Sequence, residues 1–235
     1  MKLRTLSAAT IAAALLLASP ARSATLDDLR RSLASLSGAA TMKVRIETQQ
    51  RKQSGKEKSE SSASVIAEDD GTQLRLVHAK ADLRQILQKR ERNDDALEAT
   101  EALELMNYSP SLTKLLDGAK LTKITQSSFD GAPATLFEVV PVREKNQRTE
   151  RFVKSFTDTL LVWVGAGGLP VAAERTSKLK AGILFLNIET TFKETLRFAR
   201  TADHLLVTKH VSQMMFAGLG QDETGMKSVA VTVVP

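Results

Sequence analysis

The stretch that most constrains the fold runs from Thr159 to Val211. In its middle, Leu184, Leu186, Ile188, Phe192, Leu196 and Phe198 fall on even positions, and Asn187, Glu189, Thr191, Lys193, Thr195 and Arg197 fall on odd ones. Successive side chains of an extended chain point to opposite faces, so this period of two makes one apolar face and one wet face, the pattern of a long antiparallel strand. At about 3.3 Å per residue the strand spans roughly 50 Å, beyond the usual length, so a bend or break within a curved sheet is expected.

The first residues, MKLRTLSAATIAAALLLASPARSA, combine a basic start (Lys2, Arg4), an apolar run and a small-residue exit at Ala21-Arg22-Ser23. That is the pattern of a secretory signal peptide over 1–23, too short and wrongly flanked for a membrane span. The expectation is a soluble periplasmic protein, able at most to touch a membrane transiently. The chain has no cysteine, which excludes a disulfide framework, thiolate ligands, a cysteine nucleophile and a lipidation cysteine. Removing the leader takes Lys2, Arg4 and Arg22 and no acid, so the formal charge falls from +6 to +3. Nucleic acid is therefore not expected as a partner, and the basic runs lack interleaved aromatics for stacking.

Residues 24–235 are expected to form one domain. Thr25 followed by Asp28 resembles a capping box, and Leu26, Leu29, Leu33 and Leu36 line a helix that stops at Gly38. Met42 to Ala79 folds on paper as a three-strand meander, with turns at Ser54-Gly55 and Asp70-Gly71. That register pairs Val44 with Val65 and Leu76, and it places Arg51 opposite Lys58. The period then changes in a helical insert, 80–118: Leu83, Ile86 and Leu87 mark one helix, Leu97, Leu103 and Met106 a second, and Ser109-Pro110 starts a third. Asp130-Gly131 predicts a hairpin with Ile124 opposite Phe137 and Lys123 opposite Glu138. Around Ala166 to Gly168 a second hairpin brings Asp158 to Arg175, and Arg200 to Asp203 is expected to close a third. Ala217 to Gly225, with three glycines, is expected to be a mobile segment before a last strand of Val229, Val231 and Val233. The resulting fold class is α+β: a single curved, half-barrel-like antiparallel sheet of about ten strands covered by three to four helices.

No motif names a reaction. His78, His204 and His210 occupy the apolar edge of the meander, a turn, and the wet face beside Lys193 respectively, and no HExxH spacing or serine–histidine–carboxylate motif is present. Gly165-Ala166-Gly167-Gly168 lies between strands and opens no helix, so it is a hairpin turn and not a phosphate loop. Neither an enzyme nor a bound cofactor or metal is expected.

The signal peptide, short first helix, long strands and helical insert, followed by DGAPATLFEVVPV and VWVGAGGLPVAAE, together resemble the periplasmic lipoprotein-carrier fold, LolA-like. The resemblance implies a half-closed sheet capped by helices around an apolar cavity for acyl chains; the insert from Asp82 to Leu116, which interrupts the sheet and is broken at Asn93 and Pro110, is expected to be the lid. The leading expectation is thus a carrier for a lipid, acyl chain or other apolar ligand. The alternative is an envelope protein-interaction or sensor module with a filled core. A four-residue loop at Arg200 to Asp203 pairs Phe198 with Leu205, Leu196 with Val207, Phe192 with Val211 and Ile188 with Met215, and sets Glu194 opposite Lys209 as two charges on an apolar face. Either they fix the register as an ion pair, or they form a polar handle beside Phe192, Leu196, Ile188 and Val211 in a ligand site.

Overall fold

A computed structural model describes residues 25–71, 73–78, 99–143, 150–183, 186–218 and 220–235. The leader and the first helix expected in the insert lie outside these residues. Helix α1 (Leu26–Ala34) starts at the expected capping box: Thr25 and Asp28 each satisfy the other's backbone N–H, and Leu26, Leu29 and Leu33 are buried. Strands β1 (Met42–Ser54), β2 (Glu57–Asp69) and β3 (Leu74–His78) make the meander. Helices α2 (Ala99–Met106) and α3 (Ser109–Leu116) follow, and then β4 (Lys120–Phe129), β5 (Ala132–Val140), β6 (Val153–Gly165), β7 (Pro170–Ile183), β8 (Leu186–Thr201), β9 (His204–Gly218) and β10 (Gln221–Val233).

The ten strands form one antiparallel sheet in the order β3-β2-β1-β10-β9-β8-β7-β6-β5-β4. The expectation of an α+β domain with a helical lid is corrected here. Among the described residues the protein is mostly β, with three short helices on a large sheet. Lengths explain why. At 1.5 Å per residue, α2 and α3 are each about 12 Å long, whereas β8, at about 3.3 Å per residue, is roughly 50 Å long. Asn107-Tyr108 and the proline after Ser109 separate the two helices, so they do not run on as one longer helix. Nor are they loosely seated. Ala102, Leu105, Met106, Leu112 and Leu116 are buried in one core with α1, Val44, Ile46, Phe137, Val162, Leu196 and Val229.

Polar contacts fix this layer. Ser109 Oγ donates to the Leu33 carbonyl at 2.8 Å, tying α3 to α1, and the Arg30 guanidinium donates to the Leu116 carbonyl at 2.5 Å, a cation at a helix C-terminus. Tyr108 N–H donates to Leu205 O of β9 at 2.9 Å. Gly38, at φ 64°, passes so close to Asn107 that a Cβ there would meet its amide nitrogen at 2.1 Å.

The strand registers keep the expected faces and shift several pairings. The β1–β2 turn is Gly55-Lys56, so Ser54 faces Glu57 and Val44 faces Ala67. The slide of two residues preserves every face and removes the expected like-charge rung, because Arg51 now opposes Glu60 and bonds it at 3.0 Å. The Asp130-Gly131 hairpin has Ile124 opposite Phe137 and Lys123 opposite Glu138, as expected. β8 runs unbroken for 16 residues. The irregularity lies in its partner, between Arg197/Phe198 on β8 and the facing part of β9. Ala217 to Gly225 is expected from the sequence to be a separate mobile segment, yet apart from the turn residue Gly220 its described residues belong to β9 and β10, which pair from Gln221↔Gly218 onward.

Candidate functional site

Taking the helix-bearing side of the sheet as the inner face, the register stacks its rungs into three zones. In the first, Val162, Ala173, Leu196, His210 and Val229 lie side by side, and all but the histidine are buried under the helices. Two residues further from the helices, the next rung reads Leu160, Arg175, Glu194, Ser212, Lys227 and Gln50. This is a polar belt across the sheet. Beyond it, Phe156 faces Leu179, Phe192 faces Met214, Thr190 faces Phe216 and Ala181 faces Ile188, an apolar patch confined to β6–β9. No helix among the described residues is packed there, and Met214 is 50% exposed.

The belt is a connected set of charges. Arg175 donates to both oxygens of the buried Asp158, with Nε at 3.1 Å and 3.3 Å and Nη2 at 2.7 Å, and Ser177 Oγ donates to the same carboxylate at 2.8 Å. The hydrogen bond to Asp158 is the chief reason the guanidinium holds its proton even more firmly than usual, with the charge of Glu194 adding to it against the cost of burial. Glu194 Oε1 lies 2.9 Å from His210 Nε2. Nε2 makes no hydrogen bond, so this is a close contact rather than a directed bond. Above them sits Tyr108, buried between α2 and α3 with its ring 5.6 Å from Phe198. Burial pushes its phenol up, the charges of Glu194 and Glu104 push it further, and Arg175 opposes them. The phenol therefore stays neutral in any ordinary solution. Lys227, at the other end of the rung, pairs with Glu101 of α2 and ties that helix to the belt.

The sequence-expected site is partly assembled. Glu194, Phe192, Ile188 and Leu196 share the inner face, with Leu196 buried in the core. Lys209 and Val211 do not join them. The β8–β9 hairpin turns on two residues, Ala202 and Asp203, so Thr201 faces His204 and Phe198 faces Val207. The bulge then shifts the count again: Leu196 faces His210, Glu194 faces Ser212, Phe192 faces Met214 and Ile188 faces Gly218. A bulge reverses which residues point inward, so Lys209 lies on the outer face opposite Arg197, and Val211 lies there opposite Thr195. The partner of Glu194 is His210, which the sequence had placed on the wet face.

His204 is buried at the hairpin turn with Nδ1 3.0 Å from Asp203 Oδ1, and His78 ends the edge strand β3 opposite Val65. The three histidines do not converge, and among the described residues no group of three His, Asp or Glu side chains could hold a metal. Sequence reasoning noticed Asp158 and Arg175 as a cross-strand pair, passed over Tyr108 as a site residue, and weighed His210 but placed it on the wet face. A single tyrosine in the insert was the available signal for the first. Nothing in Val207-Thr208-Lys209 announces the bulge that brings in the second.

No family model matches this chain, and no curated protein does. Among solved structures it is similar to the crystal structure of a DUF1329 family protein from Desulfovibrio piger, with 11% sequence identity, coverage of 88% of this chain and 91% of that chain, and a TM-score of 0.35. A likeness at that score carries no argument about this protein. Among the described residues no helix is long and apolar enough to cross a membrane.

Proposed function

We propose that this is an exported periplasmic protein that binds an apolar or amphipathic ligand, a lipid or acyl chain, on the open part of its inner sheet face. The observation that carries the reading is the apolar patch of Phe156, Leu179, Ile188, Phe192, Met214 and Phe216 beyond the helices, bordered by the belt of Arg175, Glu194 and His210. A chain laid on the patch removes apolar surface from water at about 25 cal/mol per Å². The belt stands where a polar head would end. Arg175 is already held by Asp158 and Glu194 adds a second carboxylate, so the belt suits a neutral, hydroxyl-bearing or cationic head better than an anionic one. The leader sequence and the likeness of the sequence to LolA-like carriers support the compartment and ligand class. The ligand lies on the sheet, beyond the described helices.

Lipid extraction and mass spectrometry of protein purified from its natural host, together with uptake of a fluorescent fatty acid, test the reading. Bound lipid and saturable uptake are expected, with Phe192→Asp and Leu179→Asp each weakening uptake at least tenfold while circular dichroism keeps its β signal. Repeated recovery of empty protein with no uptake overturns it. The filled core under the helices favours a second reading, an envelope interaction or sensor module without a ligand, and crosslinking in the periplasm that captures one partner at stoichiometric yield from ligand-free protein would favour that one.

A further inference from the structure

Among the described residues, four of the nine large hydrophobic side chains that stay exposed gather at one edge of the sheet: Leu121 (38%) and Ile124 (40%) on β4, with Val140 (40%) and Val142 (64%) at the end of β5. Among the described residues β4 is the last strand of the sheet and is hydrogen-bonded on one side only, to β5. Ten residues of open ladder select an extended strand as their natural complement. The side chains select which strand. Leu121 faces the buried Val139 and Ile124 faces the buried Phe137, so both lie on the inner face. The register irregularity between Leu121 and Lys123, where Thr122 Oγ1 donates to the Glu138 carbonyl at 2.8 Å, leaves Lys120 and Lys123 together on the outer face. Among the described residues neither lysine makes an ion pair, although Glu138 stands across from Lys123.

We propose that β4 is a docking edge for an extended segment of another protein in which apolar and acidic residues alternate. The apolar residues cover Leu121 and Ile124 on the inner face. The acidic ones meet Lys120 and Lys123 on the outer face. The charge pattern argues against a second copy of this chain as the occupant: its own β4, KLTKITQSSF, brings the same two lysines and no carboxylate, and its other edge, LRLVH, brings Arg75 and no carboxylate. The inference is independent of the lipid reading, since the apolar patch lies on other strands.

A ten-residue peptide alternating valine and glutamate, and a matched peptide alternating valine and lysine, are to be titrated into the full chain with hydrogen–deuterium exchange as the readout. The glutamate peptide is expected to slow exchange within 120–129, and the lysine peptide to bind at least tenfold more weakly. The double variant Lys120→Glu/Lys123→Glu, which alters only exposed side chains, is expected to reverse that preference. Equal binding of the two peptides, protection confined to the strands carrying Phe156 and Phe192, or self-association that protects β4 in place of the peptide would each overturn the proposal.

Discussion

The two halves of the inner sheet face are made by the same strands and obey the same alternation, yet they have opposite fates. β9 is buried over its first four residues and has only half-buried and exposed residues after them, and β1 has its buried residues in its first half and is exposed from Arg51 on. Apolar residues are present in both halves. What separates them is reach, because the described helices are about a quarter as long as the longest strand and settle at one end. A period of two tells which side chains share a face and leaves open what covers that face. The covered half holds the fold together, and the open half is free to meet something else.

That contrast can be broken first in the core. Phe137→Ala, in the covered half at 0% exposure, is expected to cost about 3–5 kcal/mol in urea unfolding, whereas Phe192→Ala in the open half costs about 1 kcal/mol. Equal losses would show that the open patch is packed in solution. At the border, Asp158→Ala is expected to cost about 2–3 kcal/mol, between a buried and an exposed pair, because it leaves a partly buried Arg175 without its carboxylate. A cost under about 0.5 kcal/mol would make the belt solvent rather than border. A double-mutant cycle should then give a coupling of about 0.5–1 kcal/mol between Glu194 and His210 and none between Glu194 and Lys209. The reverse result would restore the four-residue loop.

The smallest effect is expected from Asp203, whose carboxyl is drawn down to about 2 by the Ser37 hydroxyl first and then by the Ala39 and Ala40 N–H groups and the nearby His204. A folded value below the unfolded value of about 3.9 means that the folded state holds its charge where the unfolded state takes up a proton. The contribution is therefore complete above the unfolded value and is lost as pH falls towards 2. Urea midpoints measured from pH 5 down to pH 2 should fall less steeply for Asp203→Asn than for the natural protein. Parallel slopes would show that the contacts to Ala39 and Ala40 do not persist in solution.

Much of the fold was legible because it rests on local chemistry. Asp130-Gly131 fixed its hairpin: Gly131 has φ 82° and Asp130 φ 49°, backbone that few other residue pairs tolerate. Thr25 and Asp28 fixed the first helix in the same way. At the tip of β1 the turn moved by one residue, which slid each cross-strand partner by two, and no face changed, since two residues make a full pleat. The segment Thr201-Ala202-Asp203-His204 has no glycine or asparagine to show that it holds a two-residue turn, and Ala202 takes φ 52° without a sequence sign. The missing sign there, together with the bulge near Thr208, hid the Glu194–His210 contact while Phe192, Ile188 and Leu196 remained correctly placed. Helix coverage was misjudged for a different reason: apolar spacing shows that a helix will pack, and its length decides how much it hides.

The place of β1 beside β10 has a consequence for how the molecule comes into being. Val44 faces Val233, and Val234 N–H donates to the Lys43 carbonyl at 3.0 Å, so the first strand and the last are hydrogen-bonded neighbours across almost the whole sequence. The strands from β4 to β10 can pair one after another in chain order as they emerge, but the meander of β1, β2 and β3 must wait for β10 before it has a sheet to join. Loop-closure entropy makes such a long-range joining the slow step. Until the final residues are available, Val44 and Ile46 have no permanent shelter, and a chain truncated before Gln221 would end as two sheets looking for the strand that unites them.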